Sequence, residues 1–212
     1  MLSDHFDRLP AERRNELLGV IDDATLQIDR VVRDLMVLSR LNDGVLAIEP
    51  ENLELVTIVR DAASALKARF PERTITIAPQ DDIPFVRGDA IRVRQIVTNL
   101  IANAVGYSTE HSVIIVSVVL EGNAVRVSVY NEGNGIAPSE QDKLFLPFAT
   151  LSERTSESTG LGLFIAKGLV EAMNGDIGFA TDPGENALFW FSLPIVRPPA
   201  QPLSPPRTRV LT

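Results

Sequence analysis

The chain has no cysteine, which excludes disulfide bonds, thiolate metal sites and thiol catalysis. It is also poor in positive charge, because 20 lysines and arginines are outnumbered by 28 aspartates and glutamates. Nonspecific binding to nucleic acid or to anionic membranes relies on a basic surface, so we expect neither partner. No apolar run approaches the ~18 residues that cross a bilayer, and no charged-then-apolar leader opens the chain. We therefore expect a soluble chain without a membrane segment.

The composition divides the chain into three parts. With 212 residues, of which 45% are hydrophobic, it can bury the core of one domain and carry an appendage. Residues 1–50 are predicted to form a helix and a linker, residues 51–194 the domain, and residues 195–212 a tail. The tail is rich in proline and holds three arginines but no acid, so we expect disorder, with a proline-rich ligand as the alternative.

The first part is predicted to be one long helix over residues 11–41. Its apolar residues alternate four and three apart, which is the spacing of a heptad seam. The seam consists of Leu17, Ile21, Ala24, Ile28, Val31, Leu35 and Leu38. Charged residues occupy the other faces, so the seam is narrow and needs a covering partner. Either the rest of this chain covers it or a helix of another chain does so in a bundle, and the bundle is our prediction.

The central part alternates helical and strand patterns. Helices are predicted at 53–70, 89–105 and 161–173, and strands at 74–78, 112–120, 124–130, 176–181 and 187–193. Asp89 follows a glycine and is expected to cap the second of these helices. The alternation predicts an α+β fold, a two-layer sandwich with helices on one face of a mixed sheet.

Two asparagines lie on the otherwise apolar helix at 89–105. Asn99 and Asn103 are four residues apart and therefore share one face. A buried amide without partners costs roughly 1–3 kcal/mol, so each side chain must bond something. Their carbonyl oxygens suit Mg²⁺, but bonds to the local backbone would satisfy them equally well.

A polar segment with two glycines follows the strand at 124–130. Gly133 and Gly135 allow positive φ and a close approach of the backbone to a flat ligand such as a purine. The side-chain carbonyl of Asn131 can accept from an adenine amino group, but the same side chain can also cap the turn. A purine site and an ordinary turn therefore both remain open.

Gly160 and Gly162 precede the helix at 161–173, where free N–H groups and the positive dipole end can face phosphate oxygens. Ile165 stands at the third glycine position of a GxGxxG motif, and no Gly-Lys-Ser/Thr of a P-loop follows, so both familiar glycine motifs are disfavoured. The preceding run at 149–158 is polar and unpatterned, which predicts a lid.

Taken in this order, the segments resemble the ATP-binding domain of sensor histidine kinases, within the wider group shared with gyrase and MutL. Residues 88–108 look like the N box of the family, 131–136 its G1 box, 144–148 its F box and 159–163 its G2 box. Residues 35–41 look like the end of the second helix of a dimerisation and phosphoacceptor hairpin. The resemblance covers about residues 9–193 and implies the Bergerat-type ATP-binding fold.

The resemblance implies ATP and Mg²⁺ as ligands. Asn103 would hold the metal between the phosphates, Asn99 would support the site, Tyr107 would pack on adenine, and Gly160 and Gly162 would face the phosphates. The implied nucleotide-binding set is Asn99, Asn103, Tyr107, Asn131, Gly133, Gly135, Ile136, Phe148, Thr159, Gly160, Leu161, Gly162 and Leu163. The F box, which ends at Phe148, would anchor the lid. The implied partners are a second copy or a helix-bundle partner carrying the phosphoacceptor histidine, and a response regulator, all in the cytoplasm.

Three positions depart from the family pattern. Asn131 replaces the aspartate that usually contacts adenine, which keeps one acceptor but removes the charge that strengthens the bond. Gly106 replaces a common lysine, and Ser158 replaces the first glycine of the G2 box. These changes predict weaker nucleotide binding and leave slow or absent turnover open.

The chain has two histidines, His5 and His111. The family's phosphoacceptor lies on a first hairpin helix, which we expect to be missing because the run from His5 to Ser39 holds a single helix. His5 imitates the family spacing with Arg8 and Pro10, but it is expected to be a solvated residue rather than the acceptor. His111, beside Glu110, is expected at the surface.

The preferred function is therefore the catalytic part of a two-component histidine kinase, which transfers the γ-phosphoryl group of ATP to a histidine on another segment or chain. The alternative is a non-catalytic adaptor that keeps the pocket shape and acts through helix-bundle oligomerisation. A serine-directed kinase of the anti-sigma-factor type is a third hypothesis, which the helix ending in Ser39-Arg40-Leu41 disfavours.

Overall fold

The computed structural model describes residues 10–149 and 159–196. Its helices are α1 (Ala11–Asn42), α2 (Leu55–Arg69), α3 (Ala90–Tyr107), α4 (Pro138–Gln141) and α5 (Gly162–Ala172). Its strands are β1 (Glu51–Leu53), β2 (Thr74–Pro79), β3 (Val86–Gly88), β4 (Val113–Glu121), β5 (Ala124–Glu132), β6 (Asp176–Asp182) and β7 (Asn186–Pro194). His5, most of the predicted lid and residues 197–212 lie outside the described residues. No helix in the described ranges has the length and apolar character that crossing a membrane requires.

A five-stranded mixed sheet forms one layer of the domain. Its strand order is β2-β4-β5-β7-β6, with β2 parallel to β4 and every other neighbouring pair antiparallel. Inward residues such as Val116, Val127 and Phe191 are fully buried, whereas their neighbours Arg126 and Trp190 keep part of their surface exposed. This alternation places α2, α3 and α5 over one face of the sheet and confirms the predicted fold class.

A second, two-stranded sheet was not predicted. Strands β1 and β3 pair antiparallel, with Leu53 opposite Val86, and each is only three residues long, too short for a periodic signal. The carboxylate of Asp89 caps α3 as expected, because it accepts from the backbone N–H groups of Ile91 and Arg92 at 3.0 and 3.1 Å. It also accepts from the backbone N–H of Glu49 at 3.1 Å, which fixes the linker that follows α1.

The described chain continues past the predicted end of the domain at Pro194. Ile195 forms an isolated bridge with Val86, and its N–H donates to the carbonyl of Asn123. The N–H of Val196 donates to the carbonyl of Phe85 at 2.8 Å. The backbone is therefore held in place through Val196.

Only the C-terminal half of α1 lies against the domain. Val37 is buried, and Leu41 occupies the space over Gly168 in α5, where an added Cβ would come within 2.7 Å of the leucine Cδ1. The seam side of α1 is open, because Ile21, Ile28 and Leu35 are 53%, 65% and 44% exposed. The described part of this chain therefore leaves these three seam residues uncovered, while Leu38 at the C-terminal end of the seam packs against the core, and the bundle stays a prediction.

Candidate functional site

Two cavities meet at the C-terminal end of α3. The smaller, of about 320 Å³, lies between α3 and the ends of β5 and β7. The larger, of about 710 Å³, lies between α1, α3 and the start of α5. Asn103, Gly106 and Tyr107 line both, so the cavities form two compartments of one site. Their volumes fall in the range of small-molecule binding sites.

The smaller compartment is an apolar slot with one buried amide. Ile136, Ala187 and Phe189 line it together with Tyr107 and Asn131. Asn131 is only 3% exposed, and its Nδ2 donates to the carbonyl of Glu132 at 3.4 Å. No described residue donates to the Oδ1 of Asn131, so this oxygen remains as an acceptor in the wall of the slot. Such a slot suits a purine that carries an amino group.

The two glycines of this turn are required by contacts within the protein. Gly135 has φ of +59°, and an added Cβ would lie 2.4 Å from the carbonyl oxygen of Asp182. Gly133 does not have positive φ and so does not use the conformation that a glycine allows there. Its added Cβ would lie 2.5 Å from the carbonyl oxygen of Tyr107, across the bridge between Ser108 and Gly133. The glycines therefore shape the slot by allowing close contact between backbone segments.

The two asparagines of α3 play different parts in the larger compartment. Asn99 is 8% exposed, and its Nδ2 donates to the carbonyl of Gly162 at 3.1 Å, which ties α3 to the start of α5. Asn103 is half-buried, lines both compartments and forms no hydrogen bond with a described residue. Local backbone thus satisfies neither side chain. Asn99 supports the site, and Asn103 presents an unused amide to it.

The start of α5 forms one wall of the larger compartment. Gly162 and Leu163 line it, and no side chain of the described residues caps the helix. The Oγ of Thr159 accepts from the N–H of Leu161 at 3.3 Å, one residue before the helix begins. The first helical N–H groups therefore face the cavity without side-chain acceptors, which is the arrangement that binds phosphate oxygens.

Ten of the thirteen predicted nucleotide-binding residues line this site. The three that do not are Gly133, described above, Phe148 and Leu161. Phe148 is 64% exposed with φ of +63°, and its backbone contacts Gly160, where an added Cβ would lie 2.6 Å from the Phe148 carbonyl carbon. Leu161 is 1% exposed and belongs to the hydrophobic core, so its side chain cannot reach a ligand.

The F box is held by residues that precede Phe148. Leu144 is 3% exposed, and the ring of Phe145 lies 6.3 Å from that of Phe179. These two side chains anchor the segment in the core. Gly160, with φ of +66°, then brings the G2 loop against the end of the F box.

Four charged residues of α1, Arg30, Arg33, Asp34 and Arg40, line this compartment and were not predicted. Asp34 is 3% exposed, and its Oδ2 accepts from the Oγ of Thr159 at 3.5 Å. Burial raises the pKa of Asp34, while the charge of Arg30, the Thr159 hydrogen bond and the charge of Arg33 act in the opposite direction. A guanidinium nitrogen of Arg30 lies 3.9 Å from the Cβ position of Gly162.

The sequence carries a pattern that could have predicted the positions of Arg30 and Asp34, which is a second stripe along α1. Arg30, Asp34, Val37 and Leu41 follow one another at spacings of four, three and four, so they share a face of the helix. The heptad analysis did not find this stripe because two of its members are charged. In the structure it is the face that contacts α5 and the G2 loop.

The donor set of the site suits a cation only together with an anionic ligand. The described residues contain no group of three or more His, Asp or Glu side chains that could hold a metal ion. Asn103 offers a single amide oxygen. Mg²⁺ commonly takes one or two protein oxygens and completes its shell with phosphate oxygens and water, so these residues fit Mg²⁺ bound together with a nucleotide.

The family model for the histidine kinase-, DNA gyrase B- and HSP90-like ATPases matches residues 88–197, which include α3, the G1 and F segments and α5. The chain belongs to this family. The matched region contains both compartments except for the wall that α1 and α2 contribute. The resemblance stated from the sequence motifs is thereby confirmed, and the central domain is an ATP-binding domain of the histidine kinase type.

Individual relatives and solved structures match most of this chain, and one of the three named here is the catalytic domain of a histidine kinase. The sensory/regulatory protein RpfC of Xanthomonas campestris pv. campestris is 32% identical over 97% of this chain, which spans 29% of RpfC. The structure of full-length ShkA in complex with AMPPNP matches with a TM-score of 0.72 and 28% identity, covering 88% of this chain and 40% of ShkA. The catalytic domain of histidine kinase ThkA matches with a TM-score of 0.62 and 25% identity, covering 69% of this chain and 98% of that domain.

Proposed function

We propose that this chain is the ATP-binding catalytic part of a two-component histidine kinase, which transfers the γ-phosphoryl group of ATP to a histidine on another segment or chain. The observation that carries the proposal is the junction of the two compartments at Asn103. An apolar slot with one buried acceptor lies on one side of this junction, and the uncapped start of α5 lies on the other. A nucleotide spans these two environments with its base in the first and its phosphates in the second.

The residues of the chain bind and orient the nucleotide. Asn131 accepts from the adenine amino group, and Tyr107 and Ile136 cover the ring. The N–H groups at Gly162 and Leu163 donate to phosphate oxygens. Mg²⁺ held by Asn103 and the phosphates would neutralise the negative charge that develops during transfer.

The transfer step needs an acceptor that the described residues do not place in the site. An imidazole nitrogen attacks the γ-phosphorus, the new P–N bond forms, the bond to the oxygen that bridges to the β-phosphate breaks, and ADP leaves with that electron pair. His111 is exposed and lines neither compartment. The acceptor histidine therefore comes from another segment or chain, and the main contribution of this domain is positioning and electrostatics.

Calorimetric titration with ADP and AMPPNP, with and without Mg²⁺, tests the nucleotide site. We expect Mg²⁺-dependent binding that is weakened in Asn103→Ala and in Gly162→Ala. The added Cβ of the second variant would meet Asn99 at 3.7 Å, an ordinary contact, so its fold is preserved. Absence of binding at millimolar nucleotide would overturn the proposal.

A second assay tests transfer. The chain is mixed with a histidine-bearing dimerisation hairpin and γ-labelled ATP, and we expect acid-labile label on the hairpin histidine. Binding without label would favour the adaptor function. The observations that favour an adaptor are the exposed seam of α1 and the replacements at Gly106 and Asn131.

A further inference from the structure

A cationic side chain of α1 lies at the start of α5. The guanidinium of Arg30 is 3.9 Å from the Cβ position of Gly162 and lines the larger compartment together with Asn99 and Asn103. The same compartment receives the first N–H groups of α5. Arg30 therefore adds a full positive charge to a wall that already carries the positive end of a helix dipole.

The guanidinium of Arg30 is not used by the described protein. It forms no hydrogen bond and no ion pair with a described residue, although its charge acts on the buried carboxylate of Asp34. Its neighbour Arg33 is 67% exposed and is paired with Asp29, and Arg13 is paired with Glu16 at 2.6 Å. Arg30 thus lines the cavity with donors that no described residue occupies, and Arg33 and Arg40 of α1 line the same cavity.

The position of Arg30 along the site indicates which part of a nucleotide it meets. The base slot at Asn131 lies at one end of the site, and Asn103 stands where the two compartments join. Asn99, Gly162 and Arg30 lie together beyond that junction, on the side away from the slot. A phosphate chain that leaves the slot past Asn103 therefore runs toward Arg30.

We propose that Arg30 binds the terminal phosphate of a nucleoside triphosphate while α1 lies against α5. The inference rests on the proposed function and extends it, because it assigns a residue outside the matched family region to substrate recognition. The planar guanidinium can bond two phosphate oxygens at once. The contact also compensates for Gly106, where the motif comparison leads us to expect a lysine.

The proposal includes a coupling between nucleotide and helix. Asp34 contacts the G2 loop through Thr159, and Arg30 lies beside the start of α5 without bonding it. A ligand that bonds Arg30 in this position favours the docked helix, and the docked helix favours that ligand by the same factor. A triphosphate therefore stabilises the docked position of α1 more than a diphosphate does.

The test compares dissociation constants of Mg²⁺-AMPPNP and Mg²⁺-ADP for the unchanged chain, Arg30→Gln and Arg30→Lys. We expect Arg30→Gln to weaken AMPPNP binding by about tenfold, the scale of a charge-assisted bond, and ADP binding by less than about twofold. The dissociation constant of Arg30→Lys for AMPPNP should fall between those of the unchanged chain and Arg30→Gln. The matched control is Arg13→Gln, on the same helix and away from both cavities, which should change neither constant.

Hydrogen exchange of residues 30–41 provides a second readout that needs no catalysis. AMPPNP should protect this segment more than ADP in the unchanged chain, and the difference should vanish in Arg30→Gln. If Arg30→Gln weakens the binding of both nucleotides equally, or leaves the ratio of the AMPPNP and ADP dissociation constants unchanged, the role of Arg30 is overturned and the nucleotide site is not. Failure of the unchanged chain to bind either nucleotide would overturn the proposed function and this inference together.

Discussion

One side-chain atom sets the strength of the proposed contact with adenine. Asn131 is buried at the wall of the base slot, and its Oδ1 is the acceptor that remains after Nδ2 bonds the turn. A neutral acceptor gives a weaker bond than a carboxylate, because charge-assisted hydrogen bonds are roughly twice as strong. We therefore expect the identity of residue 131 to change nucleotide affinity more than it changes the shape of the slot.

We predict that Asn131→Asp binds ADP more tightly than the unchanged chain, by about tenfold, because the carboxylate supplies a charge-assisted acceptor. Calorimetric titration at neutral pH measures the change. Asn131→Leu, which removes the acceptor and keeps a similar volume, serves as the control and should bind more weakly. An aspartate variant that binds no better than the unchanged chain would contradict the assigned role of Oδ1.

The two glycines of the G2 loop differ in how well they tolerate a side chain. Gly160 has positive φ and backbone atoms within 2.6 Å of its Cβ position, whereas Gly162 is helical and has ordinary space around it. We predict that Gly160→Ala lowers the free energy of unfolding by roughly 1–3 kcal/mol, while Gly162→Ala leaves it unchanged or raises it slightly. Urea denaturation of both variants measures this, and equal losses would contradict the distinction.

Sequence patterns alone do not separate these glycines. Gly133, Gly135, Gly160 and Gly162 all stand in short polar segments, and the motif assigns them one role as close neighbours of a ligand. The structure shows that Gly133, Gly135 and Gly160 are required by carbonyl or backbone atoms of segments distant in the chain. Such contacts depend on how elements meet, which local spacing does not encode.

At the scale of elements, α1 presents two stripes to two different surroundings. The stripe of Arg30, Asp34, Val37 and Leu41 meets α5 and the G2 loop, whereas Ile21, Ile28 and Leu35 of the heptad seam are exposed. The bounds of the helices and strands that were predicted agree with the structure to within two residues, because these elements bury a regular apolar face, whereas β1, β3 and α4 were too short to be predicted. The docking of α1 could not be predicted because it depends on a glycine in another helix and on buried charge.

We predict that Asp34→Asn stabilises the protein at neutral pH by up to ~2 kcal/mol, because an amide keeps the bond from Thr159 but carries no charge to desolvate. Burial raises the pKa of Asp34 above its ordinary 3.8, so the favourable contribution of the protonated acid is complete below pH 3.8. That contribution is lost as the pH rises through the raised pKa, and Arg30 and Arg33 oppose but do not reverse the shift.

Urea denaturation of the unchanged chain and of Asp34→Asn between about pH 4 and 8 measures the difference. The difference in the free energy of unfolding in favour of Asp34→Asn should grow with rising pH and then level off. Exchange rates of residues 30–41 should follow the same trend, since the carboxylate lies where α1 contacts Thr159. An advantage that grows as the pH falls would contradict the sign of the shift.

At the scale of the whole molecule, an acidic chain carries an exposed apolar stripe at one end. The net charge of −8 favours separation of copies, while Ile21, Ile28 and Leu35 place apolar surface in solvent. A four-and-three spacing with an exposed seam is the pattern that helices bury in a bundle. Assembly through α1 leaves the nucleotide compartments accessible, since those face the other stripe of the helix.

We predict that Ile28→Asp dissociates an assembly formed through the seam, because the variant places a charge in its apolar interior. Multi-angle light scattering of the eluted peak measures the mass. The matched control is Glu12→Lys, which changes charge on the opposite side of the same helix and should leave the mass unaltered. An unchanged mass for Ile28→Asp would exclude the seam as the interface.

The two stripes of α1 have a geometric consequence for any change in the seam. Asp34 and Leu35 are neighbours in the chain, but they project about 100° apart around the helix axis, so they cannot be reoriented independently. A rigid rotation of α1 that brings a different set of apolar residues to a partner must also withdraw the carboxylate of Asp34 from Thr159 and the guanidinium of Arg30 from Gly162. Rotation at one end of the molecule thereby becomes a change of charge at the mouth of the larger compartment.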